Sequence, residues 1–218
     1  MLSVDQALNQ ILADAKCLVD TQNIRLGEAN GRVLAQAITA QLSMPPFDQS
    51  AMDGYAFKLS ELPHSKTLPI KQRIPAGQAP GKHIPGSAAR IFTGAPIPAG
   101  ADCVVIQEDT QTNGENVNLG GNTASWQNIR KQGEEVKQGE PVIEAGIRLD
   151  PPLVGICATH GLAQLNVYQR LRVGVMSTGN ELLEPGMPLE PGKIYNSSRY
   201  LLQGLVEELG FEFVDVGI

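Results

Sequence analysis

The chain has 218 residues, 42% hydrophobic and 18% charged, which is enough apolar side chain for one large or two small domains and too much for a disordered chain. A net charge of −6 and a pI near 5.1 argue against nucleic acid as the main partner. No run approaches the ~20 apolar residues of a membrane span, and Asp5 and Asp14 interrupt the first apolar segment, so membrane and signal-peptide readings fall and a cytoplasmic protein is expected.

Ser3-Val4-Asp5-Gln6 is a capping-box pattern, and Val4, Ala7, Leu8, Ile11, Leu12 and Ala15 follow at helical spacing. They predict an amphipathic helix of about 13 residues. A second short helix is expected over Glu28–Ala37. After Pro45 the texture becomes β-rich. Leu68–Ile74, Ala88–Phe92 and Asp102–Gln107 read as short strands between Gly/Pro turns, among them Gly77-Gln78-Ala79-Pro80-Gly81 and Gly94–Gly100. The polar stretch Asn113–Asn122 reads as a hairpin loop. Asn128–Val136, Pro141–Ile143 and Ile147–Leu149 continue the irregular β region.

Pro151-Pro152 opens a helix that ends near His160-Gly161, prolines being tolerated in a first turn. Leu171–Met176 then reads as a strand, Asn196 caps a helix carrying Leu201, Leu202, Leu205, Val206 and Leu209, and Phe211–Val216 is a further strand. One βαβ unit cannot cover its own parallel sheet, so the chain is expected to stop inside a domain of a longer gene product.

Several stretches carry possible chemistry. Asp48 and Asp53 in Pro45–Phe57 are two carboxylates among apolar residues after a double proline. The loop Ser177-Thr178-Gly179-Asn180-Glu181 lies beyond the carboxyl end of a strand, where α/β sheets bind ligands, though a plain connecting loop would look the same. Thr93-Gly94-Ala95-Pro96 could present backbone N–H groups to an anion or be only a tight turn. Glu134 and Glu135 stand beside Arg130 and Lys131, most simply a self-paired surface face. With Asp53 and Glu181 they nevertheless place carboxylates on separate loops, a pattern suited to Mg²⁺ shared with a phosphorylated substrate. Gly186–Lys193 fails as a P-loop, because five residues separate Gly186 from Gly192 and Ile194 follows the lysine. Cys17, Cys103 and Cys157 have no metal spacing and read as structural thiols.

Four of these stretches, in this order, resemble the molybdopterin molybdenumtransferase family (the MoeA type, shared by the E domain of gephyrin). They are Pro46–Ala56 with its "SAMDGYA" string, Thr93–Asp102 with "TGAPIP", Asn128–Glu135, and Ser177–Leu182. The resemblance spans essentially the whole chain. It implies a mixed fold, with β-rich irregular N-terminal domains of short coiled sheets and a few helices, followed by the start of a three-layer α/β pterin-binding domain. Residues 1–168 would form the N-terminal and linker region, with 1–44 and 140–168 an elongated helical and β part and 45–139 a β-rich lobe. Residues 169–218 would begin the α/β domain, truncated.

The family inserts molybdate into adenylated molybdopterin with release of AMP, using Mg²⁺. By that resemblance Asp53, Thr93, Glu135 and Glu181 are the expected catalytic residues, Asp53 and Glu181 the metal ligands, and Ser177, Thr178 and Gly179 the substrate-binding loop, while Asp48 braces its own loop. Two departures stand out: Glu135 and Asn180 each occupy a position where the family usually has aspartate. A homodimer is implied, each site drawing Asp53 and Glu181 from different subunits, with the molybdopterin adenylyltransferase as a further partner. The alternative within the same fold is a non-catalytic, gephyrin-like scaffold. The chain by itself is expected to be inactive.

Overall fold

Residues 2–79 and 81–218 are described by the structure, a computed structural model, so Pro80 of the expected Gly77–Gly81 turn lies outside the described residues. The chain divides into two units, one of Met1–Ile38 with Pro141–Ile218 and the other of Thr39–Glu140. It is β-rich with few helices. In chain order the elements are α1 (Val4–Asp14), β1 (Thr21–Arg25), β2 (Ile38–Thr39), β3 (Gln49–Ser50), β4 (Gly54–Phe57), β5 (Thr67–Ile74) and β6 (Ala88–Ile91). Then follow β7 (Cys103–Ile106), β8 (Thr110–Thr112), β9 (Asn116–Leu119), β10 (Ile129–Arg130) and β11 (Pro141–Ile143). The remainder are α2 (Pro151–Thr159), β12 (Gln164–Tyr168), β13 (Arg172–Met176), β14 (Leu182–Leu183), β15 (Ile194–Tyr195), α3 (Ser197–Glu208) and β16 (Glu212–Gly217).

Local chemistry starts all three helices. The Ser3 hydroxyl accepts from the Gln6 N–H at 3.2 Å and the Gln6 side chain returns the bond to the Ser3 N–H at 3.0 Å, closing the capping box of α1. Its apolar stripe (Val4, Leu8, Ile11 and Leu12) is exposed. Asp150 caps α2 through the Leu153 N–H, with Pro151 and Pro152 in a first turn that has no partner for their missing N–H groups. Asn196 caps α3, and Gly210, at φ +81°, ends it.

The first unit pairs β1 with β12 antiparallel, Thr21 opposite Tyr168. Its core gathers Ile24, Leu34, Leu149, Cys157, Leu165 and Val167. The strands β13 and β16 run parallel with α3 connecting them. In the second unit six strands form one sheet in the order β7-β4-β6-β5-β9-β8, antiparallel except for β5 beside β6. Every residue of β4 is buried, because the sheet is covered on both sides. Tyr55 and Phe57 join Leu68, Cys103, Val105 and Val117 in one cluster, whereas Ala56 joins Ile74, Ala89, Ile91 and Val104 in another.

Three expectations are corrected. Glu28–Ala37 is no helix: a single 3₁₀ turn at Leu26–Glu28 gives way to Gly31 at φ +75°, and Val33 and Leu34 then bridge to Arg148 and Val167. Tertiary pairing overrides local helical preference there. Asn113–Asn122 is not all loop, since Asn116–Leu119 is a strand between β5 and β8 with Val117 and Leu119 buried. Ile147–Leu149 makes only an isolated bridge through Arg148.

The thiols divide by burial. Cys103 and Cys157 are buried and Cys17 is exposed. Burial pushes the Cys103 thiol up to about 11 and raises that of Cys157. At pH 8, the native chain is therefore expected to show one fast-reacting thiol toward a disulfide reagent and three after denaturation. Fast reaction at a second site in the native chain would contradict the buried placement of Cys103 or Cys157.

Candidate functional site

Three of the four stretches singled out in the sequence converge in the second unit. Strand β3 lies between the other two. Ser50 pairs with Ile129 and Gln49 with Arg130 on one side. On the other side the Ser50 N–H donates to the Ala95 carbonyl at 2.9 Å, and the Gly94 N–H donates to the Ser50 carbonyl at 2.8 Å. The Ser50 hydroxyl turns inward to the Met52 carbonyl at 2.6 Å, which rounds the chain toward Asp53. Asp48 ties the three together. Its carboxylate accepts from the Gln132 N–H at 2.8 Å and its carbonyl from the Ile97 N–H at 2.9 Å.

Asp53 ends this corner, immediately before β4, with its carbonyl held by the Gln107 N–H at 2.9 Å. One carboxylate oxygen, Oδ1, accepts two bonds from Thr93, from the N–H at 2.8 Å and the hydroxyl at 2.9 Å. Among the described residues no hydrogen bond is made to the other oxygen, Oδ2. These bonds hold the Asp53 carboxyl below the usual carboxylate range, with the Arg90 charge adding a smaller push and partial burial opposing it. Phe47 and Met52 are exposed, so the carboxylate is fixed by hydrogen bonds and not by an apolar enclosure.

Arg90 is a contributor with no signal in the sequence pattern. From β6 it donates to the Gly54 carbonyl at 2.9 Å and to the Gln107 side chain, and its guanidinium stacks 4.7 Å from the Phe92 ring and 5.3 Å from that of Tyr55. It thereby joins the residue after Asp53 to the residue before Thr93. Strand pairing supplies this contact, since Tyr55 lies opposite Arg90.

The remaining predicted residues are placed differently. Glu135 is exposed and its carboxylate meets the Arg130 guanidinium, whose Nε also donates to Glu134 at 3.0 Å. The surface-pair reading of this stretch thus describes its side chains. In the first unit, the loop after β13 is anchored by its Ser177 N–H on the Gly217 carbonyl and by buried Asn196 donating to the Ser177 hydroxyl at 2.9 Å. Thr178 and Glu181 are exposed, and the Glu181 carboxylate folds back over Gly179, where an added Cβ would lie 2.7 Å from its oxygens. Among the described residues no three His, Cys, Asp or Glu side chains gather as a metal-binding set, and no helix is long and apolar enough to cross a membrane.

A model of the MoeA N-terminal region (domain I and II) matches residues 2–161. The chain belongs to the MoeA family. Among similar MoeA-type proteins, a molybdopterin molybdenumtransferase of Haemophilus influenzae is 40% identical over 220 aligned positions, covering 100% of this chain and 54% of that relative. Molybdopterin molybdenumtransferase 2 of Mycobacterium tuberculosis is 40% identical over 193 positions, covering 86% of this chain and 48% of its own length. The chain thus spans about half the length of the curated relatives it matches. Its fold is also that of a solved molybdopterin biosynthesis MoeA protein from Pyrococcus horikoshii OT3, with a TM-score of 0.88 at 34% identity over 98% of this chain and 59% of that one.

The electrostatics of the second unit carry a pH signature. Asp53 is held low by Thr93, and Glu61 is held low first by the Gly86 N–H and then by His83. Both carboxyls titrate lower in the folded chain than in the unfolded one, so the unfolded chain binds more protons between the two values. Their stabilisation is complete above the ordinary Asp and Glu range, near pH 4, and is lost as pH falls through the folded values. Melting temperature should therefore drop steeply only below about pH 4, and Glu61→Gln should flatten that drop. An acid limb unchanged by the substitution would show that Glu61 is not held in this way.

Proposed function

We propose that the whole gene product is a molybdopterin molybdenumtransferase, inserting molybdate into adenylated molybdopterin with release of AMP. The observation that carries the proposal is the Asp53–Thr93 corner: a carboxylate with one oxygen held by two donors and the other free, built by the stretches that mark the family. A single, partly exposed carboxylate fits Mg²⁺, which commonly takes one or two carboxylates and completes its shell with phosphate and water. When bound, Mg²⁺ would neutralise the charge of the adenylate phosphates.

The protein's own residues do the rest. Thr93 keeps Asp53 ionised and aims its free oxygen, Asp48 and Arg90 hold the two loops that carry the pair, and the fixed placement lowers the entropic cost of meeting the substrate. The loop Ser177–Gly179 and Glu181 is proposed to serve the pterin substrate and the metal, as the beginning of an α/β domain, and Glu135 to act through water or through Arg130. We place the protein in the cytoplasm, as a homodimer that receives its substrate from the molybdopterin adenylyltransferase.

Incubation of the whole gene product with adenylated molybdopterin and Mg²⁺, with and without molybdate, tests the reading by chromatography of AMP. Molybdate-dependent AMP is the expected result. A folded dimer that releases none would leave the scaffold reading.

A further inference from the structure

A small cavity of about 70 Å³ opens in the first unit where Gly31, Arg32, Arg148, Tyr168, Arg170 and Phe211 meet. Three arginines line it, from segments far apart in the sequence. Arg32 is only 9% exposed, and burial, then the charge of Arg170, holds its guanidinium below the ordinary value while Glu28 works the other way. Two of the forks are fixed by backbone. Arg32 donates to the Tyr168 carbonyl at 2.8 Å, and Arg148 donates through Nε to the Gly31 carbonyl at 3.3 Å. Gly210 leaves room for the second fork, since a Cβ there would lie 2.9 Å from Arg148 Nη2. Among the described residues none of the three arginines forms an ion pair with a carboxylate.

Like charges gathered at a partly desolvated cavity repel, and each fork keeps donors beyond the one it spends on a carbonyl. Planar guanidinium groups with free paired N–H donors match the edges of an oxyanion. A volume of about 70 Å³ would hold roughly two waters or one such ion. We propose that Arg32, Arg148 and Arg170 form a binding site for a small tetrahedral oxyanion of the phosphate, sulfate or molybdate class. The site is separate from the Asp53–Thr93 corner and does not rest on the transferase reading.

The test uses the 218-residue chain with sodium phosphate, sulfate and molybdate as probes against chloride at matched ionic strength, read by calorimetry and by the shift in melting temperature. A saturable gain with an oxyanion and none with chloride is expected, and the tighter of molybdate and phosphate names the source of the ion. Arg170→Gln and Arg148→Gln, both at exposed positions, should weaken binding at least tenfold with unchanged circular dichroism. Arg170→Gln should also raise the melting temperature in oxyanion-free buffer, because it relieves repulsion at Arg32. Absence of saturable binding by the folded chain, or binding untouched by both substitutions, would overturn the proposal.

Discussion

Gly54→Ala is expected to lower the melting temperature of the chain by roughly 6–12 °C, from an overpacking cost of about 3 kcal/mol. The reason is backbone contact in the middle of the sheet. A Cβ on Gly54 would meet the Val105 carbonyl oxygen at 2.0 Å and its carbon at 2.9 Å. Those atoms belong to the neighbouring strand β7, whose register with β4 is fixed by four successive pairs from Gly54–Ile106 to Phe57–Cys103. No side-chain rotation can relieve such a clash, so β4 and β7 must part where both cores meet the site. Asp53 precedes Gly54 directly, and the substitution should displace its carboxylate as well. A melt within 2 °C of wild type would show that β4 and β7 are not paired as described.

Asp53→Asn is expected to act mainly on activity, costing the melt only the modest stabilisation that the ionised carboxylate gains from Thr93 while cutting molybdate-dependent AMP release by the whole gene product by at least about 100-fold. The amide oxygen of asparagine can still accept from the Thr93 N–H and hydroxyl, which now bind Asp53 Oδ1 at 2.8 and 2.9 Å. What it removes is the negative charge on the free side of the group. Since Asp53 is partly exposed, water can satisfy whatever the amide leaves open. Activity within a few fold of wild type would make Asp53 a structural cap for the Thr93 loop. A large fall in melting temperature would point the same way.

Where local chemistry decides structure, the sequence was readable. Ser3 with Gln6, Pro151-Pro152 and Asn196 mark helix starts, and Gly210 marks a stop, because caps and dihedral limits act within a few residues. Leu68–Ile74 and Pro141–Ile143 were visible as strands for a similar reason, being apolar or β-prone runs between turn residues. Long-range pairing was not visible. Thr21–Arg25 and Gln164–Tyr168 are mixed in polarity and become strands only by finding each other, and Glu28–Ala37 loses its helix to bridges with Arg148 and Val167. Asn116–Leu119 reads as a loop because two asparagines alternate with buried Val117 and Leu119.

The site divides in the same way. Asp53, Thr93 and the bracing role of Asp48 came from recognisable strings, and the structure joins the first two by direct hydrogen bonds. Arg90 carries no local signal because it sits inside an ordinary strand, and its value to the corner depends on Tyr55 being opposite and Phe92 two residues on. Glu135 was legible as an acidic residue beside Arg130 and Lys131, yet whether its carboxylate is free or taken depends on a side-chain contact that spacing does not settle. The arginine cavity was hidden more completely, since Arg32, Arg148 and Arg170 share no segment of chain.

The pH dependence of molybdate-dependent AMP release, measured on the whole gene product and on Thr93→Val, bears most directly on a carboxylate held ionised and aimed by its threonine. Wild type should keep its rate down into the acid range and lose it only below the ordinary carboxylate value, because Asp53 is held low by the two Thr93 bonds. Removing the hydroxyl while keeping the backbone N–H should move that acid limb to higher pH. An acid limb at the same pH in both proteins would contradict the account.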